Sequence, residues 1–276
     1  MNILEIGIVD ARNIIKTIKE IYKYDFTDYA LTSFKRRLEK IIETYNLKYA
    51  DILIHRLKED PDFFDKFLYG TSVETTEIFR DPSLWRLLRN EFFPRLLRNS
   101  NKFKIWIPAS SSGEELYSML ILLKESNFLE KVQIIVSCFS NQNIEVIKSG
   151  FFNPKKIEVG IENYQRFNGK FELSDLYTIK NNIAYWDASL LNNVILEKQN
   201  IFFDNAPAKI NLILFRNQII YYNQTLQDKI VKVMHKSLVT GGYLIIGVKE
   251  SLGNYIRDKD FVLENESENI YKKRSA

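Results

Sequence analysis

Three segments of the 276-residue chain combine residue types that suit binding of a small charged molecule. The first, with the sequence ASSSGEE at 109–115, places small residues before a helical pattern. Small side chains let a ligand approach the backbone, and a helix N-terminus favours an anionic group. The segment is neither a Walker A loop nor a GxGxxG loop, because it has one glycine and no following Gly-Lys-Ser/Thr. A plain tight turn is an equally good explanation.

The second segment follows the apolar run 210–215. It begins with Arg216 and Asn217 and continues to Tyr221. An Arg-Asn pair at a strand end, followed by a tyrosine, is unusual in a purely structural loop. Helix capping by Asn217 is the alternative explanation.

The third segment, 76–81, ends in Arg80 and Asp81 and precedes Pro82. Asp followed by Pro is a typical helix start, with Asp81 as the cap and Pro82 in the first turn. The alternative to a functional Arg80 is a surface ion pair with Asp81 or Glu77.

The elements that must position these segments differ between two parts of the chain. The first hundred residues carry apolar side chains at helical spacing, most clearly over 31–45, 52–57 and 63–68. Pro94 is expected to end or kink the helix that starts at Pro82. This pattern predicts an N-terminal all-helical domain at 1–78.

From Lys102 onward, buried strands alternate with helices. The strand-like runs lie at 102–108, 132–138, 182–186, 210–215 and 242–248, and the helical patterns at 114–126, 141–149 and 223–238. Such alternation predicts right-handed βαβ units and a parallel sheet. The runs 261–265 and 269–273 predict an antiparallel hairpin at one sheet edge. Ligands of such sheets bind outside the carboxyl ends of the strands, where two of the three segments lie.

Composition narrows the classes of protein that the chain can be. The formal net charge is +4, and residues 1–100 hold 17 Lys/Arg against 16 Asp/Glu, which argues against strong duplex-DNA binding. One cysteine and two histidines argue against a His/Cys zinc site, and no metal is expected. The N-terminal residues lack a signal-peptide pattern and no apolar run reaches 18 residues, so a cytoplasmic protein without membrane insertion is expected.

Several blocks together resemble the chemotaxis-receptor methyltransferases of the CheR type. ETTEIFRDP (74–82) resembles their NxTxFFRD segment, and IWIPASSSGEELYS (105–118) their small-residue loop ending in GEEPYS. FRNQIIYYNQTLQDKIV (215–231) and LVTGGYLIIGVKESL (238–252) resemble their CRNVxIYF and GHSES blocks, and LTSFKRRLEK (31–40) their basic N-terminal helix. The blocks occur in the family's order and span nearly the whole chain.

The resemblance implies an α/β fold. An N-terminal helical domain would precede a class I, Rossmann-like methyltransferase domain at 79–276, with a small inserted subdomain at 151–181. It further implies S-adenosylmethionine as the cofactor, converted to S-adenosylhomocysteine, and methyl transfer to glutamate side chains on the helical cytoplasmic region of a chemoreceptor. The product would be a glutamate γ-methyl ester.

The resemblance also implies roles for particular residues. Arg80 and Tyr221 would be catalytic, holding the substrate carboxylate and the cofactor. The cofactor-binding residues implied by motif position are Thr76, Ala109, Ser110, Gly113, Glu114, Cys138, Ser189, Leu190, Arg216 and Asn217.

The chain departs from the family at several motif positions, three of which bear most on the cofactor site. Glu74 stands where the family has Asn, and Cys138 where it has the Asp that binds the cofactor ribose. Ser189-Leu190 stands where it has Asn-Leu near adenine, with Asp187 close by as a substitute. A thiol is a weak hydrogen-bonding partner, so Cys138→Asp is expected to strengthen cofactor binding. An unreactive packing role for this lone cysteine is expected rather than a redox function.

Alternatives to the glutamate methyltransferase remain at this stage. One is a non-catalytic CheR-like binding or signalling module with weak or lost cofactor binding. Another is methylation of nucleic acid or small molecules, which the near-neutral N-terminal half and the helical domain argue against. The insert shows no motif for docking a receptor peptide. The basic face at 35–40 is a candidate surface for an acidic receptor helix, or an ordinary solvated face.

Overall fold

The chain begins with a bundle of helices. The computed structural model describes residues 5–72, 76–97, 102–181, 183–200, 205–252 and 260–274. The helices that precede the first of these gaps are α1 (Ile8–Tyr22), α2 (Leu31–Thr44), α3 (Ala50–Glu59) and α4 (Phe63–Thr71). Each buries the apolar stripe that its sequence spacing predicts, for example Phe34, Leu38 and Ile41 of α2. The predicted helical N-terminal region is therefore confirmed.

A longer helix follows, and it does not end at Pro94. It comprises α5 (Pro82–Leu87), a π-helical turn (Leu88–Phe92) and α6 (Phe93–Leu97). Pro94 has no N–H group to donate within a regular helix, and the wider turn just before it lets the helix continue. In that turn the Phe93 N–H donates to the Leu88 carbonyl. The prediction that Pro94 ends the helix was wrong, and the irregularity next to the proline is this π-helical turn.

The second half of the chain alternates strands and helices around two sheets. Its helices are α7 (Glu114–Glu125), α8 (Asn141–Ser149), α9 (Ile157–Phe167) and α10 (Gln224–Ser237). Its strands are β1 (Phe103–Ile107), β2 (Val132–Cys138), β3 (Phe151–Phe152), β4 (Tyr177–Lys180), β5 (Ile183–Trp186), β6 (Val194–Lys198), β7 (Ile210–Phe215), β8 (Leu238–Ile246), β9 (Phe261–Asn265) and β10 (Ile270–Lys273).

The larger sheet has seven strands in the order β6-β2-β1-β7-β8-β10-β9. The first five of these pair in parallel, and β10 pairs antiparallel with both of its neighbours. This arrangement confirms the predicted Rossmann-like sheet and its antiparallel edge hairpin. None of the helices in the described ranges combines the length and apolarity that crossing a lipid bilayer requires.

One predicted strand lies in the other sheet. The run 182–186 was expected in the parallel sheet, but its strand β5 forms a small antiparallel sheet with β3 and β4. The position beside β2 at the edge of the parallel sheet is taken by β6, which pairs with β2 from Val194 to Lys198. The prediction was wrong because β6 is an edge strand with charged residues, so its sequence is less apolar than that of β5.

The two faces of the large sheet contribute to different cores. Trp106 and Ile213 pack with α1–α4 and α10, whereas Ile105 and Leu212 pack with α5, α7 and α8. This alternation is what the two-residue period of a strand requires. The N-terminal helices are thereby fixed against the large sheet, beside its carboxyl edge.

Candidate functional site

Loops at the carboxyl ends of β1, β2 and β7 are joined by direct hydrogen bonds. The Gln218 Nε2 donates to the Ala109 carbonyl over 3.0 Å, and the Ser110 N–H donates to the Ser137 carbonyl over 2.9 Å. Ala109 and Asn217 both have a left-handed backbone, with φ of 54° and 58°. Non-glycine residues in this region are uncommon and cluster at ligand sites. The structure therefore brings the predicted loops after β1 and β7 together.

The small-residue loop continues into α7 through Gly113. Its φ is +89°, and a Cβ atom there would lie 3.1 Å from the Ile147 Cγ1. Glycine therefore permits both the turn and the close packing of α8. From α8, the Asn143 Nδ2 donates to the Ser111 carbonyl over 2.9 Å. The loop is held from two sides before α7 begins.

Glu114, the first residue of α7, is buried and bound by protein groups. Its Oε1 lies 2.8 Å from the Lys156 Nζ, and its Oε2 accepts from the Ser112 hydroxyl. The same ammonium donates to the Thr76 carbonyl over 2.9 Å. Lys156 thus connects the predicted cofactor residues Thr76 and Glu114. Glu74 and Thr75 lie outside the described residues.

Arg216 forms the centre of a buried ionic cluster, defined here as Asp81, Glu115 and Arg216. The guanidinium is 1% exposed and lies 2.6 Å from Asp81 Oδ2 and 2.9 Å from Glu115 Oε1. Burial raises the pKa of the Glu115 carboxyl, and Arg216 opposes that rise. Asp81 makes no capping hydrogen bond to α5, contrary to expectation, because its carboxylate binds Arg216. The two terminal nitrogens of Arg216 are therefore occupied by protein partners, while its buried Nε has no hydrogen-bond partner.

The backbone around Arg80 is tightly held. Its carbonyl accepts from the Trp85 Nε1 at 2.8 Å and from the Arg216 guanidinium at 3.3 Å. The flanking residues Phe79 and Asp81 are both left-handed, with φ of 51° and 56°. Arg80 lines a polar cavity of about 360 Å³ together with Arg86 and other side chains. The fold thus fixes the position from which the Arg80 side chain extends.

Tyr221 lies on a different cavity, between the sheet and the N-terminal helices. The Arg37 guanidinium stacks over its ring at 4.7 Å, and its carbonyl accepts from the Ala30 N–H over 2.9 Å. This cavity of about 530 Å³ is also lined by Arg36 and Lys40 of α2. The basic face of α2 and the predicted catalytic tyrosine therefore share one cavity.

Asn217 is positioned by Glu250, from the loop after β8. The Glu250 carboxylate accepts from the N–H groups of Asn217, Ile219 and Gly247 at 2.7, 2.8 and 2.7 Å. A Cβ atom on Gly247 would lie 2.7 Å from the Asn217 Oδ1. Asn217 is not a helix cap, because Gln218 precedes the 3-10 turn Ile219–Tyr221 and Asn223 caps α10.

The end of β2 is uncharged. Cys138 is 0% exposed, and burial raises the pKa of its thiol to about 12. Beside it runs a neutral chain, defined here as Trp106, Ser137 and Gln199. The Trp106 Nε1 donates to the Ser137 Oγ over 2.9 Å, and that hydroxyl donates to the Gln199 Oε1. The same hydroxyl also lies 3.4 Å from the Glu197 Oε1 at the edge of this chain. The thiol is protonated and packed, as the sequence predicts for a lone cysteine in an apolar strand.

Ser189 and Leu190 lie away from this edge, which corrects their assignment. They belong to a 3-10 turn that precedes β6, whereas the ligand edge of a parallel strand is its carboxyl end. Ser189 donates to Asp187, whose carboxylate interacts electrostatically with Lys124 in the last turn of α7. Leu190 is buried in the core on that side. Asp187 lies at this same end of β6, directly before the turn.

Gln199 and Asn200 are the polar residues that follow β6, and the sequence analysis missed them. They are 5% and 4% exposed at the carboxyl edge. Correct identification of β6 would have placed them, because they directly follow its last residue, Lys198. Glu115 and Glu250 lie within the motif blocks 105–118 and 238–252, but the sequence analysis assigned neither of them a role in the site.

Asp65 of α4 is another residue that the sequence analysis missed. It accepts from the N–H groups of Asn141 and Gln142 at 3.0 and 3.2 Å, and lies 2.7 Å from the Lys198 Nζ. The N-terminal domain thereby anchors the start of α8 and the end of β6. No local sequence pattern marks this contact, because its partners are more than 70 residues away.

Comparison with known proteins agrees with this geometry. The family model described as the CheR methyltransferase all-alpha domain matches residues 10–69, and the CheR methyltransferase SAM binding domain matches residues 74–267. The putative methyltransferase Cher3 of Pseudomonas putida is 33% identical over 244 residues, which are 88% of this chain and 89% of that protein. A chemotaxis protein methyltransferase of Listeria innocua is 26% identical over 87% of this chain and 88% of that protein.

Solved structures give weaker likenesses. The DszA carbon methyltransferase is 12% identical with a TM-score of 0.37, over 87% of this chain and 47% of that chain. The N-methyltransferase NodS from Bradyrhizobium japonicum, in complex with S-adenosylhomocysteine, is 10% identical with a TM-score of 0.33, over 62% of this chain and 63% of that chain. These scores add nothing to the family matches, which cover most of the sequence. The chain belongs to the CheR family of S-adenosylmethionine-dependent chemotaxis methyltransferases.

Proposed function

We propose that this protein methylates glutamate side chains on a helical, chemoreceptor-like protein and produces glutamate γ-methyl esters. The observation that carries the proposal is the basic cavity in which Arg36, Arg37 and Lys40 of α2 face Tyr221. Its positive charge is complementary to an acidic substrate helix. Its place beside the carboxyl edge brings such a helix to the cofactor-binding side of the sheet.

The residues at this edge fit S-adenosylmethionine. The loop at 109–113 offers small side chains and leads into the N-terminus of α7, which suits the methionine carboxylate. Asn217 and Asn200 supply amide groups at the ends of β7 and β6. Cys138 supplies no carboxylate, so the ribose side depends on neutral partners. When bound, the cofactor would supply a methyl group on a sulfonium centre. A carboxylate oxygen would bond to the methyl carbon as its bond to sulfur breaks, which leaves S-adenosylhomocysteine.

The chain's own residues need only bind and align the substrate. A glutamate has a pKa of about 4.3 and is already ionised at pH 7, so no general base is required. Alignment can contribute roughly 7–11 kcal/mol in favourable cases. Arg80 suits a carboxylate through its two-pronged donors, and Tyr221 offers a phenolic hydroxyl. These two residues line separate cavities. A substrate helix that contacts both must therefore extend across the surface between the two cavities.

The test is transfer of labelled methyl groups from S-adenosylmethionine to a purified cytoplasmic receptor fragment. We expect label on the fragment that mild alkali releases as methanol, because carboxyl methyl esters are base-labile. A matched fragment whose acceptor glutamates are changed to alanine should remain unlabelled. Arg36→Glu should raise the KM for the receptor fragment and leave the KM for the cofactor unchanged, with the exposed Lys148→Glu as the control.

Two results would contradict the proposal. Label that resists alkali would indicate nitrogen or carbon methylation. Cofactor binding without any transfer to receptor fragments would favour a non-catalytic signalling module.

A further inference from the structure

Lys156 connects the small inserted subdomain to the cofactor edge. It ends the 3-10 turn Pro154–Lys156, directly before α9. Its side chain is 19% exposed, and the Glu114 side chain that it contacts is 6% exposed. The ammonium bridges the Glu114 Oε1 at 2.8 Å and the Thr76 carbonyl at 2.9 Å. One cation from the insert thus holds two segments that are far apart in sequence.

The Glu114 carboxylate that Lys156 neutralises lies at the N-terminus of α7, where a ligand anion would bind. α7 has 12 residues, and its first turn carries Glu114 and Glu115. Carboxylates there stabilise the helix, but they repel an anionic ligand that approaches the same N–H groups. Glu115 is neutralised by Arg216, and Glu114 by Lys156. Both acids in the first turn are therefore paired with a cation from another part of the chain.

We propose that Lys156 is a positioning residue for the cofactor. By pairing with Glu114, it leaves the N-terminus of α7 free to receive the carboxylate of the cofactor's methionine moiety. It also fixes Thr76 beside that terminus. The proposal rests on the proposed function, in which the N-terminus of α7 receives the methionine carboxylate, and on the expected position of Thr76 beside the cofactor. It adds that recognition of the cofactor's methionine end depends on a residue of the inserted subdomain.

Calorimetric titration with two ligands tests the proposal. S-adenosylhomocysteine carries the amino-acid end, and 5′-methylthioadenosine lacks it. Lys156→Met should weaken S-adenosylhomocysteine binding by roughly tenfold or more, because an unpaired Glu114 then repels the ligand carboxylate. Binding of 5′-methylthioadenosine should change less than about twofold, which also reports that the variant is folded.

A rescue variant and a neighbouring lysine complete the test. Lys156→Met combined with Glu114→Gln should recover most of the lost affinity, since the repelling charge is gone. Lys155→Met is the matched control, because Lys155 is adjacent and exposed, and it should bind both ligands as the wild type does.

Distinct outcomes would overturn the proposal. Unchanged or stronger S-adenosylhomocysteine binding in Lys156→Met would mean that Glu114 itself receives the ligand ammonium. Loss of both ligands without rescue by Glu114→Gln would mean a general structural role. Neither result bears on the receptor substrate, whereas failure of methyl transfer with the expected binding pattern would overturn only the proposed function.

Discussion

The two sides of the carboxyl edge are built from different chemistry. On the side of β1 and β7, the ionic cluster of Asp81, Glu115 and Arg216 joins segments that are over 100 residues apart. On the side of β2 and β6, the neutral chain of Trp106, Ser137 and Gln199 joins neighbouring strands, next to the uncharged Cys138.

The difference shows what each kind of contact accomplishes. Buried charges must be paired, so the position of Arg216 fixes the segment that carries Arg80 and the start of α7 together. Neutral hydrogen bonds satisfy buried polar groups but place no charge near a ligand. The side of β1 and β7 is therefore organised by ion pairs, while the end of β2 offers uncharged groups. Under the proposed function, the first would receive the methionine end of the cofactor and the second its ribose.

Removal of the central cation should have the largest effect. Arg216→Met leaves the buried Glu115 unpaired, so the free energy of unfolding should fall by about 3–5 kcal/mol. Urea unfolding measures it. Arg166→Met is the control, because Arg166 is exposed, and it should change stability by less than about 0.5 kcal/mol. A loss under about 1 kcal/mol for Arg216→Met would show that the ionic cluster does not organise its side.

Loss of Arg80 should act on activity instead of folding. Arg80→Ala removes the side chain and keeps the backbone that Arg216 and Trp85 hold. Methyl transfer to a receptor fragment should fall by about 100-fold or more, through lost alignment, with the unfolding midpoint nearly unchanged. The exposed Arg12→Ala is the control. Full activity of Arg80→Ala would remove Arg80 from the catalytic assignment.

A charge introduced on the neutral side tests whether that side binds the ribose. Cys138→Asp should strengthen binding of S-adenosylhomocysteine by roughly tenfold. Without ligand, the buried carboxylate should lower stability by about 1–3 kcal/mol, more at pH 8 than at pH 5, since burial favours its protonated form. Cys138→Asn is the uncharged control. Equal affinity in the Asp and Asn variants would show that the ribose does not lie at the end of β2.

The smallest effect is expected at Asp65, which brings a charged pair to the neutral side. Burial raises its pKa, but hydrogen bonds from Lys198 and from backbone N–H groups outweigh burial and lower it. A lowered pKa stabilises the fold at neutral pH, and this contribution is lost as the pH falls through the folded-state value.

Asp65→Asn should therefore cost about 1 kcal/mol at pH 7, and the gap to the wild type should close on acidification below about pH 4. Urea unfolding over this pH range measures the gap. Asp62→Asn is the control, because Asp62 is the exposed residue directly before α4 and makes no side-chain capping hydrogen bond, and it should show no such gap. A gap that persists at acid pH would mean that the Asp65 charge is not involved.

Much of the fold was predictable because periodicity reports burial locally. The helical stripe of α2 and the apolar runs of β1, β2 and β7 lie within one residue of the bounds that the structure has, whereas β8 begins four residues before its predicted run. The exchange between β5 and β6 was not predictable in this way. A short apolar strand has the same pattern in a central sheet and in a small one, and a polar edge strand has little pattern at all.

The sequence by itself determined the helical first part, the parallel sheet with its edge hairpin, and the loops after β1 and β7 that meet at one edge. Their signals are local: residue spacing within an element and residue types directly after it. Only the tertiary structure decided that Arg216 pairs with Asp81 and Glu115, that Lys156 bridges Thr76 and Glu114, and that Ser189 lies away from the site. The partners in these ion pairs are 42 to 135 residues apart. Which charge neutralises which is fixed by three-dimensional proximity and burial, and no local spacing encodes either.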